Sequence, residues 1–320
     1  MKNNEQRYDE RDLAVIRGTY QLDDGESLFF ARELEHIKTR TYDVVYADLT
    51  GLTLIPISSE ANPGAETITY GQYDSVGMAK IISNYADDLP RADVVGNEFH
   101  AKVKGIGTSY GYSLQDIRAA RMAGKPLEQR KANAARLSND QTVNRIAWFG
   151  DAEHGLVGLL THPNITEYTL PADGTGSSTK FKDKTPDQVL RDLNGMVNKV
   201  ISLTQGVEKP DTLLLPHEVY GDISVRRIPD TNTTILKFFL EQSPYIKNAV
   251  PCPELKGADA GEDVAVIYKR SSDKLTLEIP QPFEQLPVQQ KNLEFVVPCH
   301  SRCAGVIIYY PLSLIKAAGV

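Results

Sequence analysis

The chain has 320 residues, 41% hydrophobic and 24% charged, an ordinary globular composition with apolar mass for a sizeable core and a length suggesting about two domains. A net charge of −7 and a pI near 5.5 exclude sequence-independent binding of nucleic acid through a basic excess. The opening residues lack a signal-peptide pattern, the longest apolar stretch (305–315) is broken by Pro311, and three cysteines make no disulfide framework, which points to a soluble protein of a reducing compartment.

The first two dozen residues are polar and read as extended until docked on something. Ser27–Thr41 then predicts a helix whose apolar contacts are Leu28, Phe29, Leu34 and Ile37. From Ala61 to Tyr112 the chain is rich in Thr, Tyr and Val, with turn signals at Asn62-Pro63-Gly64 and around Asp87–Asp93. This predicts two long strands, Thr67–Ile82 and Asp93–Gly107, joined by a polar tip, Ser83–Ala92. Such a hairpin has too little apolar content to bury both faces within its own monomer.

Ser113 and Asp116 form an S-x-x-D capping box, Gly124 is a helix stop, and Pro126 restarts a helix that runs to about Phe149. The stripe of this second helix (Ala132, Ala135, Val143, Ile146) is thin and interrupted by Asn139, so the helix is expected to lie across a surface instead of filling a core. Residues 113–149 carry seven Lys/Arg (Arg118, Arg121, Lys125, Arg130, Lys131, Arg136, Arg145) against three acids. They form a solvated face, or a face for an acidic neighbour or an internal polyanion.

Pro171–Lys180 reads as a linker or flexible loop. Thr185-Pro186 starts a helix with Val189, Leu193, Val197, Val200 and Ile201 on one face, ending at Gly206. A buried strand at Thr212–Leu215, helices at His217–Val225 and Thr233–Glu241, and strands at Ile246–Val250 and Val264–Tyr268 complete a mixed α/β domain. Prolines punctuate the rest, leaving short strands at Leu293–Val297 and Ala304–Tyr310.

Three motifs invite chemistry. Gly105, Gly107 and Gly111 resemble a dinucleotide loop, but the third glycine is one residue late and Phe99–Lys104 alternates like a half-exposed strand. No second strand with an acidic end follows, so the glycines read as the bend between a hairpin strand and the helix capped by Ser113. Cys299, His300 and Cys303 offer three metal-ligand types, without the second ligand pair that zinc sites use. His154, His162 and His217 stand near no nucleophile signature, and Asp87 and Asp88 read as loop-tip charges.

The order of elements, and the wording of "TITYGQYDSVGMAKIISNYADDLPRADVVGNEF", "KGIGTSYGYSLQDIRAARMAGKPL", "FGDAEHGLVGLLTHPNI" and "NLEFVVPCHSRCAGVIIYYPLSLIKAAG", resemble the major capsid proteins of tailed bacteriophages over roughly Asp24–Val320. The resemblance implies an α+β, Hong Kong 97-type fold. Its parts would be an N-terminal arm and helix (1–60), an extended-loop hairpin (61–112), a spine helix and peripheral domain (113–165), an axial domain (166–285) and C-terminal strands returning to the peripheral domain (286–320). The assembly hairpin and its hinge would carry Tyr70, Lys80, Asp87, Asp88, Arg91, Gly105 and Gly107. Arg118, Arg121, Arg130, Arg136 and Arg145 would form an interior basic face.

The implied function is structural, not enzymatic, and needs no cofactor. Copies would form hexamers and pentamers of an icosahedral shell around double-stranded DNA, assembled in the bacterial cytoplasm with a portal and without a membrane. About 25 residues precede the first predicted helix, which implies a separately made scaffolding protein or none. The alternatives are an encapsulin-like shell of the same fold and a cytoplasmic α/β nucleotide-binding enzyme.

Overall fold

The computed structural model describes residues 46–78, 91–123 and 127–320. The chain separates into two compact units, Met1–Ala47 and Asp48–Val320, and only Tyr46 and Ala47 of the first are described. The predicted helix Ser27–Thr41 and the site residues Lys80, Asp87 and Asp88 lie outside the described residues.

The second unit opens with a short helix, α1 (Gly51–Leu54), and a two-residue strand, β1 (Ile57–Ser58). Strands β2 (Thr67–Val76) and β3 (Asp93–Lys102) pair antiparallel from Thr67↔Lys102 to Val76↔Asp93 and form a sheet of their own. The chain turns at the buried Val103, whose N–H bonds the Glu66 carbonyl at 2.9 Å.

Strand β4 (Lys104–Ser113) then pairs along its whole length with β12 (Glu294–Cys303). On the other edge of β12 lie β10 (Gln281–Gln285) and β11 (Gln289–Lys291). Gly105 and Gly107 are therefore interior strand residues, and the expected bend into the helix is corrected: neither has a positive φ. A Cβ on Gly105 would come within 2.9 Å of His300 Nε2 on the partner strand, whereas Gly107 faces open space. The two short strands expected near the C-terminus are in fact the ten-residue β12, which includes Pro298, and a separate strand, β13 (Gly305–Ile308).

Ser113 does cap the next helix, α2 (Leu114–Ala123): its N–H bonds Asp116 Oδ2 at 3.0 Å and its Oγ accepts from the Asp116 N–H at 3.1 Å. The long helix α3 (Leu127–Phe149) crosses the β4/β12 sheet, packing Ala135 on Val297 and Cys299. Only this first half lies on a surface as expected. In the second half Val143, Ile146, Ala147 and Trp148 enter a core with Leu54, Ile55, Leu159, Leu277 and Val306.

The remaining chain builds a five-stranded sheet in the order β5 (Thr166–Glu167), β14 (Leu314–Ala318), β8 (Val264–Tyr268), β6 (Thr212–Leu215), β7 (Asn248–Pro251). Alternate residues point to opposite cores. Leu213, Leu215, Ala265 and Ile267 meet α4 (Pro186–Leu203), α5 (His217–Val225) and α6 (Ile235–Gln242), while Leu214, Val266 and Tyr268 join the core that contains Trp148. A sheet buried on both faces reads as unbroken apolar runs, which is why these strands are visible in the sequence. Thr185 caps α4 in a reciprocal box with Gln188.

Two boundaries differ from expectation. Pro171–Lys180 is a folded loop: Gly174 and Thr175 N–H bond the Ser178 and Asp183 carbonyls, and Asp173 pairs with Arg191 at 2.6 Å. The C-terminal strands do not return together, because β14 inserts between β5 and β8 while β13 pairs with β9 (Leu275–Glu278) in a small sheet with β1.

Candidate assembly surface

The β2–β3 ribbon exposes both faces. Side chains from Gly71 to Val76 and from Asp93 to His100 are all exposed, including Tyr73 at 78%, Val76 at 56% and Val94 at 59%. A two-stranded ribbon by itself is marginal in water. The ribbon carries Asp74, Asp93 and Glu98 on its strands and the exposed Arg91 just before β3.

Tyr70 stands at the ribbon's base, opposite Phe99 in the register, and the two rings stack at 5.4 Å. Tyr309 meets Tyr70 edge-on at 5.2 Å. Burial, with Tyr309 adding, raises the Tyr70 hydroxyl above its ordinary pKa. Arg302 reaches across to the Pro63 carbonyl at the same end.

The basic helices do not present one stripe. Arg118, Arg130, Arg136 and Arg145 are exposed, and Arg121 lies in α2. At about 100° per residue, Arg130 and Arg145 stand roughly 60° apart, away from the buried Ala135–Ile146 face, but Arg136 lies about 180° from Arg145. Arg136 also faces Asp140 at 3.8 Å, and Lys131 donates to the Gly111 carbonyl at 2.6 Å. Sequence spacing placed these cations in one segment, and the helix disperses them.

A polar junction that no motif announced ties residues 50–54 to the body. The Gly51 N–H donates to Asn144 Oδ1 at 2.7 Å, and Asn144 Nδ2 donates to Glu254 Oε1 at 2.7 Å. Glu254 Oε2 accepts from the Thr50 hydroxyl at 2.6 Å and the Cys252 thiol at 3.2 Å. Burial pulls the Glu254 carboxyl upward, but the hydrogen bonds from Thr50, Asn144 and Cys252 outweigh it and hold the pKa low. The Cys252 thiol is pushed up to about 12, chiefly by burial. Tyr268, the last residue of β8, and Arg270 just beyond it bond the Leu54 and Thr53 carbonyls.

The other candidates do not assemble into chemistry. Strand alternation sends Cys299 under Ala135 and Cys303 into the core around Trp148, and turns His300 to the opposite face. Burial raises both thiols, Cys303 to about 11. Among the described residues, one grouping of metal-ligand types occurs, Asp151, Glu153 and His154. It is a turn in which Asp151 bonds the His154 ring at 2.9 Å and accepts the Glu153 N–H at 3.1 Å. Burial lowers the pKa of His162 below its ordinary value, and His217 is the exposed first residue of α5. Among the described residues, no helix is long and apolar enough to cross a membrane.

Residues 77–320 match the family described as Major capsid protein. No curated protein matches the chain. Among solved structures, the capsid of Myoviridae phage XM1 superposes with a TM-score of 0.78 at 15% identity, covering 92% of this chain and 99% of that one. The capsid of an empty GTA particle gives 0.65 at 10% identity, covering 93% and 99%. A virus-like particle from Pyrococcus furiosus gives 0.52 at 10% identity, covering 83% and 91%. The shared fold is the Hong Kong 97-type capsid fold.

Proposed function

The chain belongs to the major capsid protein family and is a structural subunit of a phage shell, and we propose that its β2–β3 ribbon is the arm by which neighbouring subunits hold one another. The observation that supports this is the ribbon's exposure: Tyr73, Val76, Val94 and Val95 are each at least half exposed in the monomer and open to cover from outside. Closed rings of identical copies supply such cover repeatedly, as hexamers and pentamers. In this reading residues 1–60 are the arm, the β4/β12 sheet with α2 and α3 is the peripheral domain, and the five-stranded sheet with α4–α6 is the axial domain.

A portal and a scaffolding protein complete the assembly, which proceeds in the host cytoplasm. Double-stranded DNA fills the shell without sequence-specific contacts, and Arg118, Arg130 and Arg145 on the exposed side of the helices face it. The subunit is a building block and performs no reaction.

Electron microscopy of the purified full chain and of a variant lacking Ser83–Ala92 tests the arm. The expected outcome is closed particles from the first and folded, unassembled subunits from the second. Normal particles from the deletion variant would overturn the reading.

A further inference from the structure

The ribbon's attachment to the body is narrow. We propose that Tyr309 is a positioning residue that fixes the angle at which the ribbon leaves the body, by clamping the Tyr70–Phe99 pair. This rests on the ribbon being an assembly arm. Tyr309 is itself held: its N–H bonds the Lys274 carbonyl at 2.9 Å, and its hydroxyl shares a 3.0 Å hydrogen bond with Thr276. Thr276 in turn donates to the buried Glu278 at 2.8 Å. The ring is thus a fixed stop fastened to β9.

Against that stop rests Tyr70 of β2, whose other side stacks on Phe99 of β3. Tyr309 thus touches one strand directly and reaches the other through the Tyr70–Phe99 stack, which restrains the ribbon as a unit. Beside it lies an open groove of about 1000 Å³ between Ile57–Glu60 and Tyr70–Tyr73, with Asp273, Thr276 and Tyr310 on its wall. The groove gives the ribbon room to tilt once the stop is removed.

Leverage makes the angle matter. Val76 lies six residues beyond Tyr70, about 20 Å along an extended strand, so a tilt of about 10° at the clamp displaces it by about 3.5 Å. That shift is enough to take an exposed apolar side chain out of contact with its seat on a neighbour. Aromatic edge-to-face contacts supply direction as well as attraction, which a generic apolar contact at this position would not.

The test compares Tyr309→Ala, Tyr70→Ala, the double variant and the conservative Tyr309→Phe in the full chain. Amide hydrogen exchange over Thr67–Val76 is read in the unassembled subunit, and particle yield and diameter by electron microscopy. Either alanine variant is expected to speed exchange at the ribbon base by roughly 2- to 10-fold, the range one aromatic contact supports. The double variant should be no faster than Tyr70→Ala alone, which already loses the Tyr309 contact together with the Phe99 stack. Tyr309→Phe keeps the ring but loses the Thr276 bond, so its exchange should fall between wild type and Tyr309→Ala, and the alanine variants should give fewer particles of mixed diameter.

If Tyr309→Ala fails to fold, Tyr70→Ala, on the exposed ribbon, carries the comparison. Unchanged exchange in Tyr70→Ala would overturn the clamp, and faster exchange with wild-type particles would overturn its role in assembly. Intact assembly after deletion of Ser83–Ala92 would instead overturn the underlying assignment of the ribbon.

Discussion

Replacing Gly51 with alanine sets two effects against each other. Gly51 opens α1, where alanine is intrinsically better than glycine by at most about 1 kcal/mol. The position is buried, however, and a Cβ there would sit 2.8 Å from Asn144 Oδ1, 3.1 Å from Ala147 Cβ and 3.1 Å from Trp148 Nε1. Overpacking of this kind costs about 1–3 kcal/mol. The atom most able to yield is Asn144 Oδ1, but it holds the Gly51 N–H, and the same side chain donates to Glu254. Moving it leaves buried donors unpaired at about 1–3 kcal/mol each. The net expectation is a loss of about 2–4 kcal/mol, a large share of the roughly 5–15 kcal/mol that holds a folded protein.

Urea unfolding of the unassembled subunit measures this as a fall in midpoint at unchanged slope. A cycle with Asn144→Ala sharpens the test. That variant removes the obstructing amide, so adding Gly51→Ala to it should cost less than about 1 kcal/mol more, a coupling expected only of residues in contact. If Gly51→Ala is as stable as wild type, helix propensity has won and the reasoning about the junction is wrong.

The same junction predicts a pH dependence. Glu254 has a depressed pKa in the folded chain, so its contribution is fully present above its ordinary value of 4.5 and is lost as the pH falls through the folded value. Glu254→Gln should therefore lower stability at pH 7 by about 1–2 kcal/mol, through weaker hydrogen bonds, with the gap to wild type closing below pH 4.5 in urea titrations. Reversing the outward pair, Arg130→Glu with Arg145→Glu, should leave subunit stability within about 0.5 kcal/mol, because charges on an exposed surface, paired or not, contribute little. The salt dependence of assembly or DNA retention should change, and the same dependence in wild type and variant would refute an interior basic face.

The local signals in this sequence were sufficient where the interaction that shapes the chain is itself local. The Ser113–Asp116 box and the Thr185-Pro186 start both stand at the head of the helices they announce, and in the fold Thr185 closes a second box with Gln188. The strands Thr212–Leu215 and Val264–Tyr268 are buried throughout and apolar but for Thr212, because the sheet is covered on both faces, so composition located them. The two-stranded ribbon was legible for the opposite reason: its strands mix β-forming Thr, Tyr and Val with polar residues, too few apolar ones to bury both faces.

Tertiary structure decided everything that depends on who sits opposite. Gly105 and Gly107 resembled a bend because glycine permits one, but their partner strand begins at Glu294, and pairing with it keeps the backbone extended through both. Leu314–Ala318 could have returned to either sheet, and only the gap between Thr166–Glu167 and Val264–Tyr268 fixes its place. Thr50, Asn144 and Glu254 meet across separations of more than ninety residues, and Tyr70 meets Tyr309 from opposite ends of the chain. Each is a commonplace residue in its own neighbourhood. A hydrogen bond or ring contact depends on distance in space, and chain spacing carries that information only over the few residues where backbone geometry fixes it.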